Sequence, residues 1–122
     1  MHELAITQNI LEIALRHADE AQAQKISNLY IVIGQLSSVI DDSVQFYWDI
    51  ITDGTKAEGA KLHFRRIPTE LMCKSCNHKY TPDGKGFSCP ECQSIEVYVV
   101  SGEEFFLEAI DIEKDNPGVA NA

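Results

Sequence analysis

Two pairs of cysteines with the spacing C-x2-C constrain this chain more than any other feature of its sequence. Cys73 pairs with Cys76 and Cys89 with Cys92, and twelve residues separate the two pairs. Two residues between cysteines let both sulfurs point inward from one tight turn, and two facing turns form a tetrahedral cage of four thiolates. We expect Zn²⁺ in this cage, with iron second, because four sulfurs suit both metals. The protein supplies all four ligands, so no coordination position stays open for catalysis.

Charge and cysteine use narrow the classes of protein to which the chain can belong. The sequence has 10 Lys and Arg against 19 Asp and Glu, a net charge of −9, which repels nucleic acid phosphates and anionic lipid. It lacks an apolar run of about 18 residues and a secretory signal pattern, so we predict no membrane partner and a cytoplasmic location. In that reducing compartment a metal site is favoured over disulfides, with a redox-active thiol pair as the alternative.

Apolar residues that recur every three to four positions predict two amphipathic helices. The first runs from Leu4 to about Glu20, and the second begins at Asp41 or Asp42 and ends at Asp53. The first helix has an apolar stripe of Ile6, Ile10 and Ile13, with Leu4, Leu11 and Leu15 beside it. The apolar positions of the second helix are Val44, Tyr47, Trp48 and Ile51.

Three strands are predicted from runs of β-branched and alternating residues. Lys25–Ile33 is almost continuously apolar, which is typical of a mostly buried strand. Lys61–Ile67 alternates apolar and polar residues, which indicates one solvated face. Glu103–Glu113 also alternates and predicts a last strand. Its alternation places on one face Phe106, Glu108, Ile110 and Ile112.

The order of these elements predicts an α+β fold with two helices on one face of a three-stranded sheet. The cysteine segment lies between the last two strands, so we predict it to be an inserted zinc-ribbon lobe. The expected domains are residues 1–69 plus 102–113, which form the α/β domain, and residues 70–101, which bind zinc. Residues 114–122 are expected to form a flexible tail.

The first three residues offer a second set of metal ligands. The amine of Met1, the amide and imidazole of His2, and the amide or carboxylate of Glu3 can close fused chelate rings on one ion. Deprotonated amides favour square-planar geometry, which suits Ni(II) or Cu(II) and disfavours tetrahedral Zn²⁺. The amine titrates near pH 8 and imidazole near about 6.5, so binding should weaken as the pH falls. The alternative is an ordinary chain end.

Several stretches of the chain together resemble one known family. "MHELAITQNILEIA" at the start, "IVIGQLSSV", "DGTKAEGAKLHF" and the paired C-x2-C motifs are similar to the HypA family of metallochaperones, which help to insert nickel into [NiFe]-hydrogenase. The resemblance covers residues 1 to about 113. The Met-His-Glu opening combined with the zinc ribbon is far more specific than either feature alone.

This resemblance implies a fold and a function. It implies nickel at Met1, His2 and Glu3, with His2 essential, so that the α/β domain is the nickel-binding domain. It implies structural zinc at the four cysteines and a carrier that is not an enzyme. The implied partners are the nickel-delivering GTPase HypB and the [NiFe]-hydrogenase large-subunit precursor. In some members they also include urease maturation proteins.

The chain departs from the family pattern at two places. Some members have a histidine two residues after each C-x2-C pair, whereas here His78 follows the first pair and Ser94 follows the second. The resemblance therefore does not by itself imply a switch of zinc ligands that uses both histidines, and it leaves open whether His78 is a zinc ligand or an exposed loop residue. The acidic residue that usually follows the glycine of the first strand is Gln35.

Three other classes of function compete with a nickel carrier. A zinc ribbon that binds nucleic acid is opposed by the net charge of −9 and by the lack of a basic stripe with interleaved aromatics. A small iron protein that transfers electrons would use the same four sulfurs and would be red. A hydrolase is least favoured, because no Ser/His/Asp arrangement is apparent and the metal cage has no open position.

Overall fold

The computed structural model describes residues 3–39, 41–82, 84 and 86–114, so residues 115–122 of the predicted tail lie outside the described part. It confirms the predicted α+β fold class. The elements are α1 (Glu3–Glu20), β1 (Lys25–Gly34), α2 (Asp41–Ile51), β2 (Lys61–Ile67), β3 (Glu70–Cys73), β4 (Lys79–Tyr80), β5 (Val97–Ser101) and β6 (Phe105–Glu113). They form two sheets with the strand orders β2-β1-β6 and β4-β3-β5. None of the described helices is long and apolar enough to cross a membrane.

The described residues group into two compact units. The first contains residues 3–31, 38–64 and 106–114, and the second contains residues 32–37 and 65–105. The division falls within β1 and β2 and at the start of β6. The boundaries expected from the sequence, 69/70 and 101/102, stay a prediction.

Helix α1 buries a narrower and more polar stripe than its apolar pattern indicates. The buried side chains are Thr7, Ile10, Leu11, Ala14 and Ala18. Of the predicted stripe, Ile10 is buried, whereas Ile6 and Ile13 are half-buried. The buried face is centred on small residues, which permit close packing, and α1 packs against α2.

A Schellman motif ends α1. The N–H of Ala23 donates to the carbonyl of Ala18 at 2.8 Å, and the N–H of Gln22 donates to the carbonyl of Asp19 at 3.0 Å. Gln22 has a φ of 59° and occupies the left-handed position that glycine usually takes. The chain therefore turns sharply into β1 without a glycine.

The core of the first unit is built from the centre of β1 and the inner face of α2. Trp48 is 1% exposed, and its indole Nε1 donates to the carbonyl of Ala60 at 3.2 Å. Val44 and the β1 residues Leu29 and Ile31 are also fully buried. Burial of each such side chain contributes about 1.5–3 kcal/mol, so these residues hold the helices on the sheet as the pattern predicts.

The alternation of the last strand holds in part. Ile110 and Ile112 are half-buried as expected, but Phe106 is 48% exposed. Glu108 and Ala109 are consecutive and both exposed, so the alternation of exposure is interrupted between them. The expected apolar face is therefore half-buried at Ile110 and Ile112 and exposed at Phe106.

The second unit contains three short strands that the sequence does not predict. Strand β3 pairs antiparallel with β5, so that Leu71 faces Val99 and Cys73 faces Val97. It also pairs antiparallel with β4, where Leu71 faces Tyr80. Strands of two to five residues are too short to show a period. The β3–β5 pair nevertheless sets the position of the first cysteine.

The last residue of β1 and the two residues after it bind both ends of the inserted chain. The backbone N–H of Gly34 donates to the carbonyl of Glu104 at 2.7 Å. The N–H of Gln35 donates to the carbonyl of Ile67 at 2.9 Å, and the N–H of Leu36 donates to the carbonyl of Gly102 at 2.7 Å. In addition, the side-chain oxygen of Gln35 accepts from the N–H of Thr69 at 2.9 Å. Residues 34–36, which we call the clamp, thus fix where the chain enters and leaves the cysteine segment.

The clamp requires a glycine at position 34. A Cβ there would lie 2.0 Å from the carbonyl oxygen of Gly102, so we expect Gly34→Ala to lower the free energy of unfolding by about 3 kcal/mol or more. Gly59→Ala is the control, because a Cβ there meets nothing within 4 Å and adds the strain of φ +80° alone, about 1 kcal/mol. Urea unfolding of the zinc-loaded variants measures both. Equal losses would contradict the close approach.

Candidate metal centre

The four cysteines predicted from their spacing lie together. All four Sγ atoms are within 4.8 Å of one another. The Cys73–Cys92 and Cys76–Cys89 pairs of Sγ atoms are each 3.6 Å apart. A tetrahedron with Zn–S bonds of about 2.3 Å requires sulfur separations of about 3.8 Å. Both the donor set and its dimensions therefore fit Zn²⁺.

Each cysteine pair forms the same turn, and hydrogen bonds define it. In the first, the N–H of Ser75 donates to Sγ of Cys73 at 3.3 Å, and the N–H of Asn77 donates to the Cys73 carbonyl at 2.9 Å. Asn77 has a φ of 61°. The N–H of Cys73 donates to the carbonyl of His78 at 2.9 Å and closes the turn.

The second turn repeats this pattern residue for residue. The N–H of Glu91 donates to Sγ of Cys89 at 3.4 Å, Gln93 donates to the Cys89 carbonyl at 2.8 Å, and Gln93 also has a φ of 61°. The N–H of Cys89 donates to the carbonyl of Ser94 at 3.0 Å. Backbone N–H groups that point at sulfur stabilise the thiolate, which is the form that binds metal.

Neighbouring thiols change one another's pKa values. Burial opposes ionisation of Cys73, but the amides of Cys76 and Ser75 and the neighbouring thiols outweigh it and lower the pKa of Cys73 to about 6. The amide of His78 favours the thiolate of Cys76, yet burial and the adjacent sulfurs raise the pKa of Cys76 to about 12. The amide of Ser94 favours the thiolate of Cys92, but the thiol of Cys73 and burial raise the Cys92 pKa. Four thiolates this close need a cation between them.

The cage has a buried side and an exposed side. Cys73 and Cys89, the first cysteine of each pair, are 0% exposed, whereas Cys76 and Cys92 are exposed. Because the protein supplies four thiolates, the site is suited to hold a metal and not to activate a water molecule.

His78 and Ser94, which lie two residues after the first and the second cysteine pair, make other contacts. The ring of His78 stacks on Tyr80 with centroids 5.9 Å apart. The hydroxyl of Ser94 accepts from the hydroxyl of Ser75 at 3.1 Å, which links the two turns. Among the described residues, the ligand cluster consists of the four cysteines and contains no histidine.

The expected nickel residues fall largely outside the described part of the chain. Met1 and His2 are not described, and Glu3 is the first residue of α1 and half-buried. The Glu3 carbonyl accepts from the hydroxyl of Thr7 at 2.5 Å. The ligand set predicted for nickel therefore stays a prediction.

A polar network on the first unit's sheet could not be predicted from the sequence. The carboxylate of Asp111 accepts from the hydroxyl of Tyr30 at 2.7 Å and from the amide of Asn28 at 3.1 Å. The amide oxygen of Asn28 lies 2.7 Å from Nε2 of His63, whose ring stacks on Tyr30. The hydrogen bond to Asp111, burial and the carboxylate charge raise the pKa of Tyr30. The alternation of Asn28 and Tyr30 on one strand indicates a shared face, but not which residues lie opposite.

The comparisons with known proteins decide the family. Residues 1–112 match the family model described as "Hydrogenase/urease nickel incorporation, metallochaperone, hypA". This chain belongs to the HypA family. The hydrogenase maturation factor HypA of Dehalococcoides mccartyi is 40% identical over 116 residues, which are 95% of this chain and 98% of that protein. HypA of Nostoc sp. is 39% identical over 114 residues, which are 93% of this chain and 97% of that protein.

Solved HypA structures have the same fold. The solution structure of the Ni metallochaperone HypA from Helicobacter pylori is 23% identical, with a TM-score of 0.66, over 94% of this chain and 100% of that chain. A second solution structure of a HypA protein is 24% identical, with a TM-score of 0.73, over 94% and 98%. As a HypA family member the chain is a nickel metallochaperone of hydrogenase maturation, and its four-cysteine cluster fits a structural zinc site.

Replacement of one buried ligand should remove zinc. In zinc-binding peptides the metal contributes about 10–16 kcal/mol, so we expect Cys89→Ser to lose several kcal/mol of zinc affinity, because a serine hydroxyl stays protonated. Ser88→Ala, at an exposed neighbouring position, is the control and should keep one zinc per chain. Elemental analysis after dialysis against a weak chelator measures this. Full zinc retention by Cys89→Ser would exclude Cys89 as a ligand.

The sheet network gives a separate prediction about ionisation. Asp111→Asn removes the charge that favours the neutral phenol, so the pKa of Tyr30 should fall toward its ordinary value near 10. Ultraviolet titration of the variants measures it, and Tyr30→Phe identifies the contribution of this tyrosine. Glu113→Gln removes an exposed charge from the same strand and should leave the Tyr30 pKa unchanged. An unchanged pKa in Asp111→Asn would contradict the effect of the Asp111 carboxylate on Tyr30.

Proposed function

We propose that this chain binds Ni(II) through Met1, His2 and Glu3 and delivers it to the [NiFe]-hydrogenase large-subunit precursor. The observation that carries the proposal is the match to a nickel-incorporation family, which begins at residue 1 and includes the Met-His-Glu stretch. The four-cysteine cage already has a full set of ligands. Nickel therefore needs ligands elsewhere in the chain.

The start of α1 supports this assignment. The first N–H groups of a helix have no hydrogen-bond acceptor within that helix. The amide of Glu3, at the first position of α1, is thus not needed for the helix and can lose its proton to bind nickel. Where the amine of Met1 is free, it adds a donor, and the imidazole of His2 completes a planar set that suits Ni(II).

Delivery by ligand exchange follows from a chelate of this kind. Donors in one short stretch can leave the metal one at a time, and no bond of a substrate is made or broken, so the protein is a carrier and not an enzyme. Zinc at the four cysteines has a structural role. The proposed partners are the GTPase HypB, which supplies nickel, and the hydrogenase precursor. Because the family description also names urease, urease maturation proteins are proposed as well.

The proposed location is the cytoplasm, where reduced thiols bind zinc and do not form disulfides. The net charge of −9 disfavours nucleic acid as a partner. It favours instead the capture of cations and of basic protein surfaces.

One added residue tests the nickel site. A glycine placed before Met1 converts the amine to an amide, and His2→Ala removes the imidazole, so we expect each change to weaken nickel binding at least about 100-fold. Zinc should stay at one per chain, because the cysteines are distant in sequence. Titration calorimetry with nickel and elemental analysis of zinc measure both, after mass spectrometry shows that Met1 is retained and unblocked.

His63→Ala is the matched control, since His63 is exposed on β2 and is no part of the proposed site. It should bind nickel as the unaltered chain does. Equal nickel affinity in the glycine-extended, His2→Ala and unaltered proteins would refute the terminal site and direct attention to other donors.

A further inference from the structure

Strand β5 lacks the features that protect the other sheet edges of the described chain. The outer strands of the two sheets are β2, β6, β4 and β5. Strand β2 carries three basic residues, β6 carries three acidic residues, and β4 has two residues, one of them a lysine. Strand β5 reads Val-Tyr-Val-Val-Ser, without charge, proline or glycine. Charge, proline and short length are the usual means by which an edge avoids pairing with another chain.

The backbone of β5 has a free side in this arrangement. Along an antiparallel strand, N–H and C=O groups point alternately to one neighbour and to the other. Strand β5 pairs with β3, and no described strand pairs with it on the opposite side. Its outward backbone groups can therefore accept a further strand, which is the basis of peptide recognition by strand addition.

An apolar groove lies along the same strand. It has a volume of about 380 Å³ and is lined in part by Leu71, Val97 and Val99. Its rim includes Phe87, which is 54% exposed, and Ile95, which is 82% exposed. Adjoining exposed apolar side chains, unlike single ones, are typical of interaction sites. The groove gives alternate side chains of an added strand an apolar environment.

Acidic residues flank the two ends of β5. Glu96 directly precedes the strand and Glu103 follows it by two residues, and both are exposed. A strand added to this edge would meet apolar residues at its centre and a carboxylate near each end. That arrangement is complementary to an extended segment with apolar residues in alternation and basic residues at its ends.

We propose that β5 and its groove bind an extended segment of another protein, which adds as a strand and carries Lys or Arg near both ends. This proposal does not depend on nickel binding at the N-terminus. It assigns to the zinc lobe a role in protein recognition, because β5 is held in place by β3, which ends at the zinc ligand Cys73.

Two other occupants fit less well. If two copies of the chain paired through β5 about Val99, Glu96 of one copy would lie beside Glu103 of the other at both ends, and like charges oppose such pairing. The segment 115–122 contains no Lys or Arg and includes Pro117, and proline cannot donate to a strand ladder.

The probe is a synthetic peptide of alternating valine and threonine with a lysine at each end. We expect it to bind the zinc-loaded full chain in fluorescence anisotropy. A peptide with glutamate at each end should bind about tenfold more weakly, because exposed charges contribute modestly. N-methylation of two adjacent central residues removes a donor from each edge of the peptide and should abolish binding. Bound peptide should also slow hydrogen exchange at the β5 amides that do not donate to β3.

A charge reversal keeps the test independent of folding. The double variant Glu96→Lys/Glu103→Lys should prefer the glutamate-ended peptide, a reversal that a misfolded protein would not show. Glu12→Lys/Glu20→Lys, at exposed positions of α1, makes the same change in net charge and should keep the original preference.

Three results would overturn the proposal. The first is equal binding of the lysine-ended and glutamate-ended peptides, or no binding of either. The second is full binding of the N-methylated peptide, which excludes strand addition. The third is a dimer in sedimentation equilibrium whose formation protects the β5 amides, which would make a second copy the occupant of the edge.

Discussion

The mutual repulsion of four thiolates, and its relief by one cation, is the interaction on which the inserted lobe depends. Between residues 70 and 101 the buried apolar side chains of the described chain are Leu71, Cys73 and Cys89. A core this small cannot offset the conformational entropy of ordering about thirty residues. Metal binding supplies the missing free energy. The strands β3, β4 and β5 adjoin the cysteine turns. We therefore expect these strands to keep their positions when the metal is bound.

The two metals place opposite demands on the chain. The four-cysteine cage that fits zinc comes from two turns whose backbone hydrogen bonds match one another, so its geometry is set by the fold. The proposed nickel ligands are consecutive residues at a helix start, where backbone N–H groups have no partner within the helix. Such ligands can be released in sequence. A carrier needs both properties, because a scaffold that exchanged its metal would unfold, and a cargo held by four fixed ligands would not be delivered.

The sequence predicts most where a period or a spacing extends over many residues. Both helices, β1 and the four cysteines follow from such patterns. The lobe strands do not, because two to five residues cannot show a period. The interrupted alternation of exposure at Glu108 and Ala109 also has no local signal. The network of Asn28, Tyr30, His63 and Asp111 depends on which strands are neighbours, and its members are as many as 83 residues apart. The proposed nickel ligands follow from the family resemblance, and Met1 and His2 lie outside the described residues.

The clamp at residues 34–36 makes the inserted lobe equivalent to a long hairpin loop. Its hydrogen bonds to Ile67, Gly102 and Glu104 fix the two ends of the loop whatever lies between them. Once the ends are fixed, the entropic cost of closing the loop rises with the logarithm of its length, by about 0.6 kcal/mol for each doubling. The segment between residues 70 and 101 can therefore gain or lose residues between its cysteine turns at little thermodynamic cost. A fold of this kind lets the lobe change in length during evolution while the sheet β2-β1-β6 keeps its register.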